Sequence, residues 1–110
     1  MFEISRQGAV QVLSGDVPLN AEHVAEVATL CAESVGRGQS RMVLDFKKIP
    51  LIDSAGLELL LTLRDDCLRG GGSLQLANLG TTCRDILVAT GVVEHFAIFD
   101  NLDTAVGSYA

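Results

Sequence analysis

The stretch Arg41–Ala77, RMVLDFKKIPLIDSAGLELLLTLRDDCLRGGGSLQLA, decides the fold class. It opens with the apolar run Met42-Val43-Leu44, followed by Asp45-Phe46, and such a run suits a strand covered on both faces. Ile49-Pro50-Leu51-Ile52 reads as a short extended connection. From Ser54 to about Arg69, Glu58, Thr62, Asp65 and Arg69 fall on one stripe with Asp66 beside them. Leu57, Leu59, Leu60, Leu61, Leu63, Cys67 and Leu68 cover the rest, and so wide an apolar arc predicts a largely buried helix. Gly70-Gly71-Gly72 stops it. Ser73–Ala77 then alternates, with Leu74 and Leu76 on one face, as a strand does. A strand, a helix and a second strand predict parallel pairing through a right-handed crossover.

Working outward, Phe2–Arg6 and Gly8–Ser14 both alternate, with Phe2 and Ile4 on one face of the first and Val10 and Val12 on one face of the second. They predict a hairpin through Gln7-Gly8. Gly15-Asp16-Val17-Pro18 breaks the pattern, because proline cannot donate to a ladder. Asn20 is placed to cap a helix whose apolar positions are Val24, Val27, Ala28, Cys31 and Val35, ended by Gly36-Arg37-Gly38. On the other side, Thr81 or Thr82 opens a helix that stops before Gly91. Phe96–Phe99 reads as a short strand and Leu102–Tyr109 as a final helix. The order β-β-α-β-α-β-α-β-α predicts one α/β domain over residues 1–110, with a largely parallel sheet and one antiparallel hairpin.

Composition narrows the function. The 110 residues are 48% hydrophobic, enough for a folded core without disulfide or metal staples. Net charge is −6, and the eight Lys and Arg are dispersed. A nucleic-acid binder needs a basic face, so neither nucleic acid nor an anionic membrane is an expected partner. Met1–Arg6 turns polar within a few residues, which argues against a signal peptide, and no apolar run reaches the roughly 18 residues of a membrane span. Cys31, Cys67 and Cys83 are odd in number and form no C-x-x-C pair. Three core thiols fit a reducing cytoplasm.

Catalytic signatures are missing. The triple glycine follows a helix instead of opening one, and no Lys-Ser/Thr pair comes after it, so it is no phosphate cradle. There is no nucleophile elbow. His23, expected to face solvent, and His95, expected in a turn, have no second ligand at a converging spacing. Asp65-Asp66 reads as a solvated face. Asp16 and Asp53 end strand-like segments, where α/β sheets collect functional groups, but two carboxylates alone make no enzyme. The chain is expected to be non-catalytic, with no cofactor or metal of its own.

Ile49–Leu57, IPLIDSAGL, stands apart. Ser54 lies at the mouth of the buried helix, with Ala55-Gly56 leaving the approach open. A helix mouth offers unpaired N–H groups and partial positive charge, which suit a phosphate. A phosphate on Ser54 would add about −1.5 to −2 charges at one spot of an acidic surface. The simpler reading makes Ser54 an ordinary N-cap worth about 1 kcal/mol. The residues alone leave both open and weigh towards the cap.

In this order and spacing the sequence resembles the STAS family, the sulfate-transporter and anti-sigma-factor-antagonist domain. The resemblance runs through Leu13-Ser14-Gly15-Asp16, Met42–Phe46, Ile52-Asp53-Ser54-Ala55-Gly56-Leu57 and its leucine-rich helix, Leu74-Gln75-Leu76, Ile86–Val93 and Phe96–Phe99. It implies a mixed, mostly parallel sheet with about four helices packed mainly on one side. For stand-alone bacterial members it implies an anti-sigma-factor antagonist. The unphosphorylated chain binds an anti-sigma factor that is also a serine kinase and carries the ATP; phosphorylation of Ser54 releases it, and a phosphatase resets it. The implied partner-binding residues are Asp16, Pro18, Asn20, Asp53, Ser54, Ala55, Gly56 and Leu57. One departure is visible: where the family often has Gly-Glu-Leu-Asp, this chain has Gly15-Asp16-Val17-Pro18, with Pro18 at the aspartate position. The alternative within the resemblance is a subunit that props up the ATPase of a lipid-transport ABC complex, whose members often lack the serine.

Overall fold

The computed structural model describes residues 1–110. The alternating N-terminal segments form β1 (Phe2–Gln7) and β2 (Val10–Gly15), an antiparallel hairpin turning through Gly8-Ala9. Then follow α1 (Val24–Gly36), β3 (Arg41–Asp45), α2 (Ser54–Arg69), β4 (Ser73–Ala77), α3 (Thr81–Thr90), a 3-10 turn at Val92–His95, β5 (Ile98–Phe99) and α4 (Leu102–Gly107). The five strands lie in chain order, and β2 through β5 are parallel. No helix is long and apolar enough to cross a membrane.

Chain-order strands dictate where the helices go. Each right-handed crossover steps in the same direction, so α1, α2 and α3 all land on one face of the sheet. That face presents the register row Leu13, Leu44, Leu76 and Ile98. It packs with Val27 and Cys31 of α1, Leu59, Leu60, Leu63 and Cys67 of α2, and Cys83 and Leu87 of α3. The other face is covered by α4 alone, through Ala105 on Val10, Val43 and Ala77. Helices mainly on one side is therefore the observed arrangement.

Several local expectations are corrected. Asn20 does not cap α1: its Oδ1 accepts from Glu22 N at 3.1 Å inside a turn, and the helix begins after His23, which makes no side-chain cap. His23 is half-buried, not solvent-facing, with its ring tilted against Phe2 at 6.1 Å and Nδ1 2.9 Å from Pro18 O. The last strand shrinks to two residues because the 3-10 turn consumes the chain up to His95. Tyr109 lies beyond the end of α4. Its hydroxyl sits 2.8 Å from Met42 O and 2.7 Å from Ser73 O, which pins the C-terminus to the sheet. Leu68 is 47% exposed, so the buried arc of α2 is narrower than its leucine content suggested.

All three cysteines are buried and free. Burial pushes the thiols up, Cys31 from 9.0 to about 12 and Cys67 from 9.0 to about 11, and Cys83 upward as well. The folded state then holds these protons more tightly than the unfolded chain. Their contribution is fully present below pH 9.0, the ordinary thiol value, and is lost as pH rises towards 11 and 12. Melting temperature is expected to fall across that alkaline window, as thermal melts over a pH series would show. Replacing Cys31 by Ser would not remove this fall, because Cys67 and Cys83 remain.

Gln11 breaks the apolar pattern. It lies on the helix-covered face, paired in register with Met42 of β3, at 4% exposure, and its Nε2 has no hydrogen-bond partner. A buried polar group left unpaired costs about 1–3 kcal/mol. Gln11→Leu is expected to raise stability by about 1 kcal/mol in urea unfolding; a loss instead would mean the amide is satisfied.

Candidate functional site

The segment Leu51–Gly56 is stitched to the β2–α1 connection. Leu19 N donates to Leu51 O at 3.0 Å and Asp53 N donates to Leu19 O at 3.2 Å, a small parallel bridge between Leu19 and Ile52. Asp53 completes the join. Its Oδ1 accepts from Gly56 N at 2.9 Å, and its Oδ2 accepts from Ala21 N at 3.2 Å. One carboxylate thus caps α2 and clamps the turn that carries Asn20. Leu57 N donates to Asp53 O at 2.9 Å, closing the first helical bond.

This corrects the sequence reading of the cap. Asp53 occupies the N-cap position with extended backbone, and Ser54 is the first residue inside the helix. Asp53→Ala is expected to cost about 1.5 kcal/mol, because a cap and a tertiary bond go together. Ser54→Ala should change stability by less than about 0.5 kcal/mol. Chemical denaturation of the two variants checks both, and equal costs would contradict this assignment.

Freed from capping, Ser54 is exposed. Gly56 N is engaged by Asp53, while the N–H groups of Ser54 and Ala55, the first two of the helix, have no intrahelical acceptor and stand at its positive end. Both oxygens of the Asp53 carboxylate beside it accept backbone N–H donors, from Gly56 and Ala21. Gly56 is buried against Leu19: a Cβ there would overlap the Leu19 carbonyl oxygen and lie 2.7 Å from Ile52 Cγ1. Leu57 and Ala55 are half-buried beside it, and Leu51 is 41% exposed.

The structure therefore brings Pro18, Asn20, Asp53, Ser54, Ala55, Gly56 and Leu57 into one neighbourhood through the Leu19–Ile52 bridge. Asp16 makes its contacts elsewhere. Its carboxylate pairs with the N-terminal amine, and it shares a cleft with Glu3, Asp45, Lys47 and Lys48. The hydrogen bond from that amine holds the exposed Asp16 carboxyl below its ordinary value.

A family model described as the STAS domain matches residues 1–105. The chain belongs to the STAS domain family. Among curated proteins it is similar to BtrV of Bordetella bronchiseptica, whose name assigns it as an anti-sigma factor antagonist. The two are 24% identical over 91 residues, which is 83% of this chain and 78% of BtrV. Its fold is similar to that of TM1081 of Thermotoga maritima, a protein described by assignment as an anti-sigma factor antagonist, at TM-score 0.91 and 18% identity, covering 97% of this chain and 92% of that one. It is also similar to the Bacillus cell-fate determinant SpoIIAA in its phosphorylated form, at TM-score 0.78 and 16% identity over 100% of both chains.

Within this STAS domain, no group of three or more His, Cys, Asp or Glu side chains is placed to hold a metal ion. Leu19 and Ala21 are the positions that sequence reasoning missed. They contribute backbone only, and the one available signal was the apolar Leu19 isolated between Pro18 and Asn20.

Proposed function

We propose that this STAS domain is an anti-sigma-factor antagonist working in the cytoplasm. Its unphosphorylated Ser54 face docks on an anti-sigma factor that is also a serine kinase, and so frees the sigma factor. The kinase supplies ATP and the catalytic base; this chain supplies the Ser54 hydroxyl. Asp53, Ala55, Gly56 and Leu57 with Pro18 and Asn20 form the docking surface around it. Asp16 contributes at its margin. Phosphorylation ends the interaction by placing charge at the centre of the surface, and a phosphatase restores it.

The observation that carries this reading is the state of Ser54. It is exposed, it is released from capping by Asp53, and it stands at a helix mouth whose outer N–H groups suit an anion. The kinship with BtrV supports the same reading at the level of the class of partner. With both Asp53 oxygens engaged, the chain would depend on its partner for catalysis.

The test is a pull-down from native lysate with this chain as bait and mass spectrometry of the bound proteins. Recovery of a small ATP-binding kinase is expected. That kinase should then transfer phosphate from ATP to the wild type and not to Ser54→Ala. Phosphate on Ser54→Ala would overturn the assignment, and recovery of an ABC ATPase would point to the transport subunit instead.

A further inference from the structure

The bridge between Leu19 and Ile52 also orients the residues on either side of it. It is a parallel bridge, with Leu19 N donating to Leu51 O and Asp53 N donating to Leu19 O, so Pro18 stands opposite Leu51. Leu19 and Ile52 are buried in the core, and side chains one place earlier on each segment point the other way. Pro18 and Leu51 therefore lie side by side on the outward face, at the usual strand spacing of about 4.8 Å. Leu51 is one of four large apolar side chains exposed on this chain, Pro18 is half-buried beside it, and Pro50 is exposed. The three make an uncharged apolar patch on a chain of net charge −6.

The patch is rigid. The rings of Pro18 and Pro50 fix φ at both residues. Pro18 O accepts from His23 Nδ1 at 2.9 Å, and Leu51 O accepts from Leu19 N at 3.0 Å. An apolar surface already held in one conformation loses little entropy when a partner covers it. It is also continuous with the face that carries Ser54. Leu51 precedes Ser54 by three residues, a reach of about 10 Å at most, on backbone clamped by Asp53 to Gly56 and Ala21. An interface of ordinary size, about 800 Å² per partner, extends about 16 Å from its centre. A partner centred on the Ser54 hydroxyl thus covers Leu51 and Pro18 as well.

We propose that Pro18 and Leu51 are the apolar anchor of the docking surface, and that the kinase covers them with an uncharged apolar pocket; this rests on the proposed function. The test is isothermal titration and phosphorylation kinetics with the kinase recovered by pull-down. Leu51→Ala should weaken binding about tenfold. It should raise KM by a similar factor with kcat unchanged, because the contact is made equally before and during phosphoryl transfer. Leu51→Met stays apolar at similar volume and should bind within about twofold of the wild type. Pro18→Asp should weaken binding about tenfold by bringing a charge against an apolar surface. Leu68 is 47% exposed but lies at the far end of α2, about 21 Å along the helix from Ser54, so Leu68→Ala should bind as the wild type does. Leu51→Ala should melt with the wild type, so that its loss of affinity reports on the contact and not on unfolding. If the kinase phosphorylates Ser54 of the wild type but binds Leu51→Ala or Pro18→Asp equally well, this proposal is overturned while the proposed function stands. A loss in Leu51→Met or Leu68→Ala as large as in Leu51→Ala would overturn it too. If no kinase binds the wild type, the proposed function fails and the anchor with it.

Discussion

Gly56→Ala is expected to destabilise the protein by about 2 kcal/mol, although alanine is the better helix former. Two effects compete. In a helix, replacing glycine by alanine is favourable by about 1 kcal/mol, from reduced chain entropy and better propensity. Against it stands a Cβ that overlaps the Leu19 carbonyl oxygen and approaches Ile52 Cγ1 to 2.7 Å. Leu19 O already accepts from Asp53 N, so it cannot retreat without loosening the bridge that holds Asp53. Overpacking of this kind costs about 3 kcal/mol, at the upper end of its usual range because backbone must move. The steric effect wins. Urea unfolding would show a lower midpoint at unchanged slope, and a higher midpoint would mean that the Leu19 segment yields freely. Because Asp53 also clamps the turn before α1, Gly56→Ala should, under the proposed function, weaken partner binding beyond what its own surface loss explains.

The second large effect is expected at Ser54. Under the proposed function, Ser54→Asp should weaken kinase binding by about 2 kcal/mol, roughly thirtyfold in Kd, while leaving the fold intact. The carboxylate would stand beside Asp53 at the centre of the docking surface, and both charges would have to be desolvated on binding. Ser54→Ala and Ser54→Asn carry no charge and should bind within a fewfold of wild type. Isothermal titration with the recovered kinase separates these outcomes. Equal affinities for wild type and Ser54→Asp would rule out charge as the switch. A common loss in all three variants would instead mean that the hydroxyl itself makes a contact.

Much of the architecture was legible along the chain because its causes are local. Helix α2 begins at Ser54 and ends at Arg69, the span its leucine arc and triple glycine predicted. The N-terminal hairpin, whose turn falls at Gly8-Ala9, one residue later than expected, β4 and α3 likewise follow from alternation, periodicity and glycine placement. Errors gathered where a neighbour in space overrides a local preference. Asn20 has good capping chemistry, but its oxygen is spent on the turn held by Asp53, and α1 starts one turn later. Phe96 has strand chemistry, yet the 3-10 turn leaves only Ile98 and Phe99 to pair with Leu76 and Ala77.

The candidate site divides the same way. That an Asp-Ser-Ala-Gly segment stands at the head of a buried helix in a parallel α/β fold is legible along the chain, because each of those features is encoded within a few residues. Which residue caps that helix, why position 56 has no room for a side chain, and that Asp53 reaches Ala21, 32 residues away, emerge from the folded arrangement alone. It also decided that Gln11, an unremarkable polar residue in an alternating strand, lies buried with its amide unpaired. Such facts depend on which backbone arrives beside a side chain, and that is settled by the packing of elements far apart in the chain.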